Sequence, residues 1–188
     1  MPPSPTPRRP SLPARPEPRP SGQLSRVRPS ARPPSEEWRS AKEDVLVRLM
    51  FTPGSSPLEA THAYLTAYLA ERTSPSVAQR VSLAAYELLA NATNYAVLGS
   101  DVVLEIVQQA GRVGVRASND TIPARVTMLR QQLDKVAQNP EEAFLAELKR
   151  SFSGRPMLGL ARIGHEVGLA LSLDATAERV TVTAMPRS

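Results

Sequence analysis

Proline is spread so unevenly that it divides the chain before any other pattern is read. Twelve of the 19 prolines fall in Met1–Ser35, beside seven arginines and a single acid, Glu17. A stretch this poor in large apolar side chains cannot bury enough surface to offset the entropy of ordering it. The sequence therefore predicts a flexible, basic tail over residues 1–35 with local polyproline II character, and one folded domain over residues 36–188. Charge follows the same boundary. The tail carries about +6 and the whole chain +5, so the folded part is close to neutral and the high pI belongs to the tail.

The folded part is long enough for a proper core, because a domain near 150 residues buries about 70% of its unfolded surface. With no cysteine, disulfides and thiolate metal sites are excluded, which is compatible with a cytoplasmic location. No run approaches the roughly 20 apolar residues that span a bilayer. The N-terminus also lacks the apolar core of a secretory signal. The tail's arginines can contact nucleic acid or acidic lipid. It has no aromatic interleaving and no base-reading motif, so a passive tether is the preferred reading and nucleic acid is not the expected partner.

Val45–Phe51 is rich in β-formers and stops at Pro53-Gly54, a turn signal. Ser56-Pro57 reads as N-cap and first residue of a helix to about Ala70, and Ser74-Pro75 starts a second one to about Tyr95. Val102–Gln108 and Val113–Ala117 predict a hairpin turning at Ala110-Gly111-Arg112. Two helices follow, Ile122–Ala137 and Glu141–Phe152, then a short one, Leu158–Val167, stopped by Gly168. Leu169–Leu173 and Arg179–Thr183 make a last strand pair. Strand pairs and helices in separate blocks predict an α/β (α+β) two-layer sandwich: a mixed, mainly antiparallel sheet with helices on one face.

The second helix carries the most informative segment, Glu87-Leu88-Leu89-Ala90-Asn91-Ala92-Thr93-Asn94-Tyr95. Glu87, Asn91 and Asn94 stand at i, i+4 and i+7, one stripe at the edge of an apolar face made by Val81, Ala84, Ala85, Leu88, Ala92 and Tyr95. Gln79, Ser82 and Thr93 mark the solvated side. A carboxylate and two amides at such an edge can line a pocket. The carboxylate can orient or deprotonate a hydroxyl, and an amide oxygen suits a hard cation such as Mg²⁺. By spacing alone the stripe equally fits an ordinary helix boundary.

This segment resembles the N-box of the GHKL ATPases, a family that includes histidine kinases, type II topoisomerases and the serine kinases that act as anti-sigma factors. The order of elements also matches over roughly Val45–Ala184, and Leu158-Gly159-Leu160-Ala161-Arg162-Ile163 resembles the second glycine box. Small bacterial regulators of the SiaB type share the long helical insert. The resemblance implies Mg-ATP as cofactor, with Asn91 holding Mg²⁺, Glu87 as the catalytic acid that activates the attacking group, and Asn94 near the phosphates. It implies phosphorylation of a serine or threonine on a small, antagonist-like signalling protein, and it admits a homodimer. A degenerate, non-catalytic member that keeps the fold as a protein-binding surface is the alternative.

The glycine boxes depart from the family pattern. The stretch corresponding to the first, Ala117-Ser118-Asn119-Asp120-Thr121-Ile122-Pro123, has no glycine. Asn119 or Asp120 can supply a base contact there, or the pair can simply make a turn. In the second box Arg155 and Met157 replace glycines, leaving Gly154 and Gly159 to bring backbone N–H groups to phosphate. Arg155 can pair with phosphate directly or stand in solvent. Leu129, Leu133 and Val136 form one apolar stripe and Leu145, Leu148 and Phe152 another, each read as core in preference to a docking face. His62 and His165 are isolated, without metal-ligand spacing.

Overall fold

Seven prolines lie outside the tail, and those in the structured segments sit at the starts or ends of elements, where a missing N–H costs least. The computed structural model describes residues 43–52, 57–151 and 158–187. The tail, Trp38, Ser56, Phe152, Gly154 and Arg155 lie outside the described residues. The elements in chain order are β1 (Glu43–Phe51), α1 (Leu58–Ala70), α2 (Pro75–Tyr95), β2 (Val102–Gln109) and β3 (Arg112–Asp120). They continue with α3 (Pro123–Gln138), α4 (Pro140–Ser151), α5 (Leu158–Arg162), β4 (Leu169–Ala175) and β5 (Arg179–Pro186). No helix among the described residues is long and apolar enough to cross a membrane.

The sheet runs β1-β2-β3-β5-β4, and every neighbouring pair is antiparallel. The expected mixed sheet is thus corrected to a wholly antiparallel one among the described strands. The connection from β3 through α3, α4 and α5 returns to the sheet edge as β4, so β5 slots between β3 and β4 with opposite sense to both. The β2–β3 turn has two residues, Ala110 and Gly111, with φ of +48° and +76°. Positive φ at both central positions suits the right-handed twist of a tight hairpin.

One face of the sheet is apolar. Leu104, Ile106, Val115, Ala117, Val182 and Ala184 line it and join Val81, Ala85, Leu88 and Leu89 of α2 in one core. The opposite face carries Glu105, Arg116 and the Ser118–Thr181 hydroxyl pair. The fold is therefore α+β, an antiparallel sheet with helices packed on its apolar side, compatible with the two-layer expectation. β1 joins β2 with a shift of register between Val45 and Val47. The carbonyl of the extra residue, Leu46, accepts a hydrogen bond from the Tyr68 hydroxyl of α1 at 3.2 Å. A bulge leaves a residue out of the ladder, and here the neighbouring helix satisfies it.

Ser74 caps α2, its hydroxyl accepting from the Val77 N–H. At α1 the expectation is corrected: Pro57 occupies the cap position and the helix starts at Leu58. Ser82 is also corrected. It is buried, not solvated, its hydroxyl donating to Gln79 O, because α1 packs along that side of α2. The short helix expected over Leu158–Val167 divides into α5 and a π-helical turn, Ile163–Val167, closed by Gly168 at φ +68°. Arg80 of α2 holds that end, donating to Val167 O at 2.6 Å and Gly168 O at 3.2 Å. Gly164 sits against Val136 of α3 with no room for a side chain, which draws α3 onto the turn.

Candidate functional site

α2 starts from a serine cap with proline in its first turn and runs 21 residues, long enough to pass along the sheet and meet α5. The meeting point is Gly159. A Cβ placed there would lie 2.5 Å from Glu87 Oε2 and 3.3 Å from Asn91 Nδ2, so the glycine is what leaves these two side chains their present placement against α5. Glu87 and Asn91, one turn apart, therefore face the same glycine, as the i, i+4 spacing predicts. The Asn91 side-chain nitrogen is buried and has no hydrogen-bond partner among the described residues. A buried polar group left without a partner costs about 1–3 kcal/mol, so this nitrogen stands out from the satisfied groups around it.

Beside this seam lies a cavity of about 150 Å³. Leu88, Asn91 and Tyr95 wall it from α2, Ala117 and Asn119 from β3, and Val180 and Val182 from β5. Met128 and Leu129 of α3 and Leu160 of α5 complete it, Met128 being 58% exposed at the mouth. An apolar cavity of this volume takes one aromatic ring. At one end the carbonyl of Tyr95 accepts from Arg125 Nη1 at 2.8 Å and from the Thr121 hydroxyl at 3.1 Å. The last turn of α2 is thus tied to the start of α3.

Glu87 is not a free carboxylate. Arg162 Nη1 donates to Glu87 Oε1 at 2.9 Å, and Arg162 Nε lies 2.9 Å from Glu166 Oε2. The hydrogen bond to Glu87 raises the Arg162 pKa further above its ordinary value. Sequence reasoning missed Arg162, Arg125 and Thr121. For Arg162 a weak signal existed: it stands three residues after Gly159 and four before Glu166, but its partner Glu87 is 75 residues away.

The predicted residues separate into two groups. Glu87, Asn91 and Gly159 come together, and Asn119 joins Asn91 around the cavity. Asn94 is exposed and does not line it, since a further three residues along α2 turn it beyond the edge of the apolar face. Asp120 is also outside, paired with Arg179 of β5 at 2.9 Å on the surface. Strand alternation explains the split, because Asn119 and Asp120 must point to opposite faces. Gly154 and Arg155 lie outside the described residues.

Of the two helical stripes, Leu133 and Val136 are buried as expected, whereas Leu145 and Leu148 are exposed on α4, which corrects their reading as core. His165 stacks on Phe144 and His62 meets the Tyr86 ring edge-on. Among the described residues no group of three His, Cys, Asp or Glu side chains is placed to hold a metal. A scan of protein-family models gives no match, and a search of curated proteins gives none either.

Proposed function

We propose that this protein is a cytoplasmic GHKL-type regulator that binds Mg-ATP, with the base in the cavity between α2, α3 and the β3–β5 pair and the phosphates toward Gly159. The single observation that carries the reading is Asn91: an amide nitrogen that is buried and without a partner among the described residues, where α2 meets α5 at Gly159, beside a ring-sized cavity. These residues fit the cofactor. The cavity would take a ring of the base, and the Asn91 amide oxygen would be the ligand this chain offers to Mg²⁺, a hard cation that suits oxygen. Bound Mg-ATP supplies an activated phosphoryl group. The chain's own part is then positioning and electrostatics, as in other phosphoryl transfers. Asn91 fixes the metal, Arg125 and Thr121 keep the end of α2 in place, and Glu87 orients a serine or threonine hydroxyl of a small signalling partner.

Thermal unfolding with and without Mg-ATP tests the site on wild type and Asn91→Ala. Ligand at 100 times its dissociation constant adds about 2.7 kcal/mol. For this domain that is a rise in Tm of roughly 5–10 °C. The reading requires the rise in wild type and its loss in Asn91→Ala. No rise in either folded protein sinks it.

A second reading, a non-catalytic protein-binding module of the same fold, is favoured by the pairing of Glu87 with Arg162, which occupies the carboxylate a kinase would use. Capture of a partner that survives Glu87→Ala, with no phosphorylation by wild type, would decide for it.

A further inference from the structure

The two edges of the sheet are finished differently. β1 is guarded: a bulge breaks its register between Val45 and Val47, Tyr68 takes the Leu46 carbonyl, and Glu43, Asp44 and Arg48 place charge along it. Bulges and charges are the devices that stop an edge from pairing with another chain. β4 has no bulge. Its seven residues, Leu169–Ala175, keep unbroken register with β5, contain no proline, and carry a single charge, Asp174. β5 bonds one side of the strand, and among the described residues no hydrogen bond reaches the other side. Every second N–H and C=O along that side is left to solvent or to another strand.

The strand is also complementary to itself. Two copies joined antiparallel about a two-fold axis normal to the sheet pair along the whole strand when Ser172 lies on the axis. That register sets Leu169 against Ala175, Ala170 against Asp174 and Leu171 against Leu173 of the second copy. A slip of one residue is barred, because it would oppose helix-side residues to open-side ones. On the open face the exposed Asp174 meets a small alanine and not its own copy, so no like charges face each other. On the helix side Leu171 and Leu173, half-buried at the rim of the core, each gain an apolar neighbour.

We infer that β4 is the edge through which two copies of this chain pair, joining their five-stranded sheets into one continuous antiparallel sheet. Such an interface is isologous and closes on itself, so it makes a dimer and not a fibre. The inference is independent of the nucleotide reading. Sedimentation equilibrium of the full chain should give a mass that rises with concentration toward twice 20.4 kDa. Ser172→Lys sets two cations against each other on the axis and should raise the dissociation constant by roughly three- to fivefold. The chain has no cysteine, so Ser172→Cys introduces a single thiol. Thiols on the axis, with Cα atoms about 4.5–5.5 Å apart, are within disulfide reach. Those of Asp174→Cys stand about 13 Å apart along the strands and are not. Mild oxidation should therefore cross-link Ser172→Cys and spare Asp174→Cys. A wild type that is monomeric at every concentration overturns the inference. So does a dimer that Ser172→Lys leaves intact, or one that cross-links both cysteine variants alike, since its interface then lies elsewhere. Ser172 and Asp174 are exposed, so these substitutions leave the core untouched.

Discussion

Arg162 reaches from α5 to Glu87 on α2 with Nη1 to Oε1 at 2.9 Å, and the same guanidinium pairs with Glu166 in the following π-helical turn. The pair ties together the two elements that enclose Gly159. Its side chains are 39% and 12% exposed, so solvent screens part of the attraction. A double-mutant cycle with Arg162→Ala and Glu87→Ala, read by denaturant unfolding, should return a coupling of about 0.5–1 kcal/mol. A coupling indistinguishable from zero would mean that the two helices are held by packing alone.

Gly159 tests the seam from the other side. In Gly159→Ala the new methyl meets Glu87 Oε2 at 2.5 Å, and a carboxylate end can swing away more cheaply than backbone can move. Stability should therefore fall by no more than about 1 kcal/mol. The displaced Glu87 and crowded Asn91 should weaken Mg-ATP binding by about tenfold or more, equivalent to about 1.4 kcal/mol. Titration showing unchanged affinity in a folded Gly159→Ala would place the nucleotide away from this glycine.

What the sequence disclosed and what it hid divide along local and non-local lines. The Ser74-Pro75 start of α2 and the hairpin turn are set by backbone chemistry within a few residues; the first is where the sequence puts it, and the turn is shorter by one residue, Ala110-Gly111 with Arg112 opening β3. The i, i+4 pairing of Glu87 with Asn91 is likewise a property of one helix. Ser82 was misplaced because its surroundings are made by α1, which periodicity within α2 does not reveal. Leu145 and Leu148 read as core by the same periodicity, yet α4 leaves them exposed. Asn119 and Asp120 were inseparable until the pairing of β3 with β5 fixed which one faces the helices. Arg162, which holds Glu87, came from a contact across 75 residues that no local pattern encodes.

The face of the sheet away from the helices offers a test independent of any ligand. Strand register puts Arg48, Glu105 and Arg116 in one row, Arg48 opposite Glu105 on β1–β2 and Glu105 opposite Arg116 on β2–β3. Each oxygen of Glu105 takes one arginine at 2.5 Å, and Arg116 also reaches Glu43 at 2.6 Å. Glu105 and Arg116 are 3% and 8% exposed, while the Arg48 side chain is 42% exposed. Removing the buried acid takes one carboxylate from the buried Arg116, so Glu105→Ala should cost about 2–4 kcal/mol and lower Tm by roughly 5–15 °C. Arg48→Ala removes the partner that water already screens and should cost under about 1 kcal/mol. The unequal costs are the signature of a row whose weight lies at its buried end. Equal losses for the two variants would show that Arg48, not Arg116, carries the compensation of Glu105.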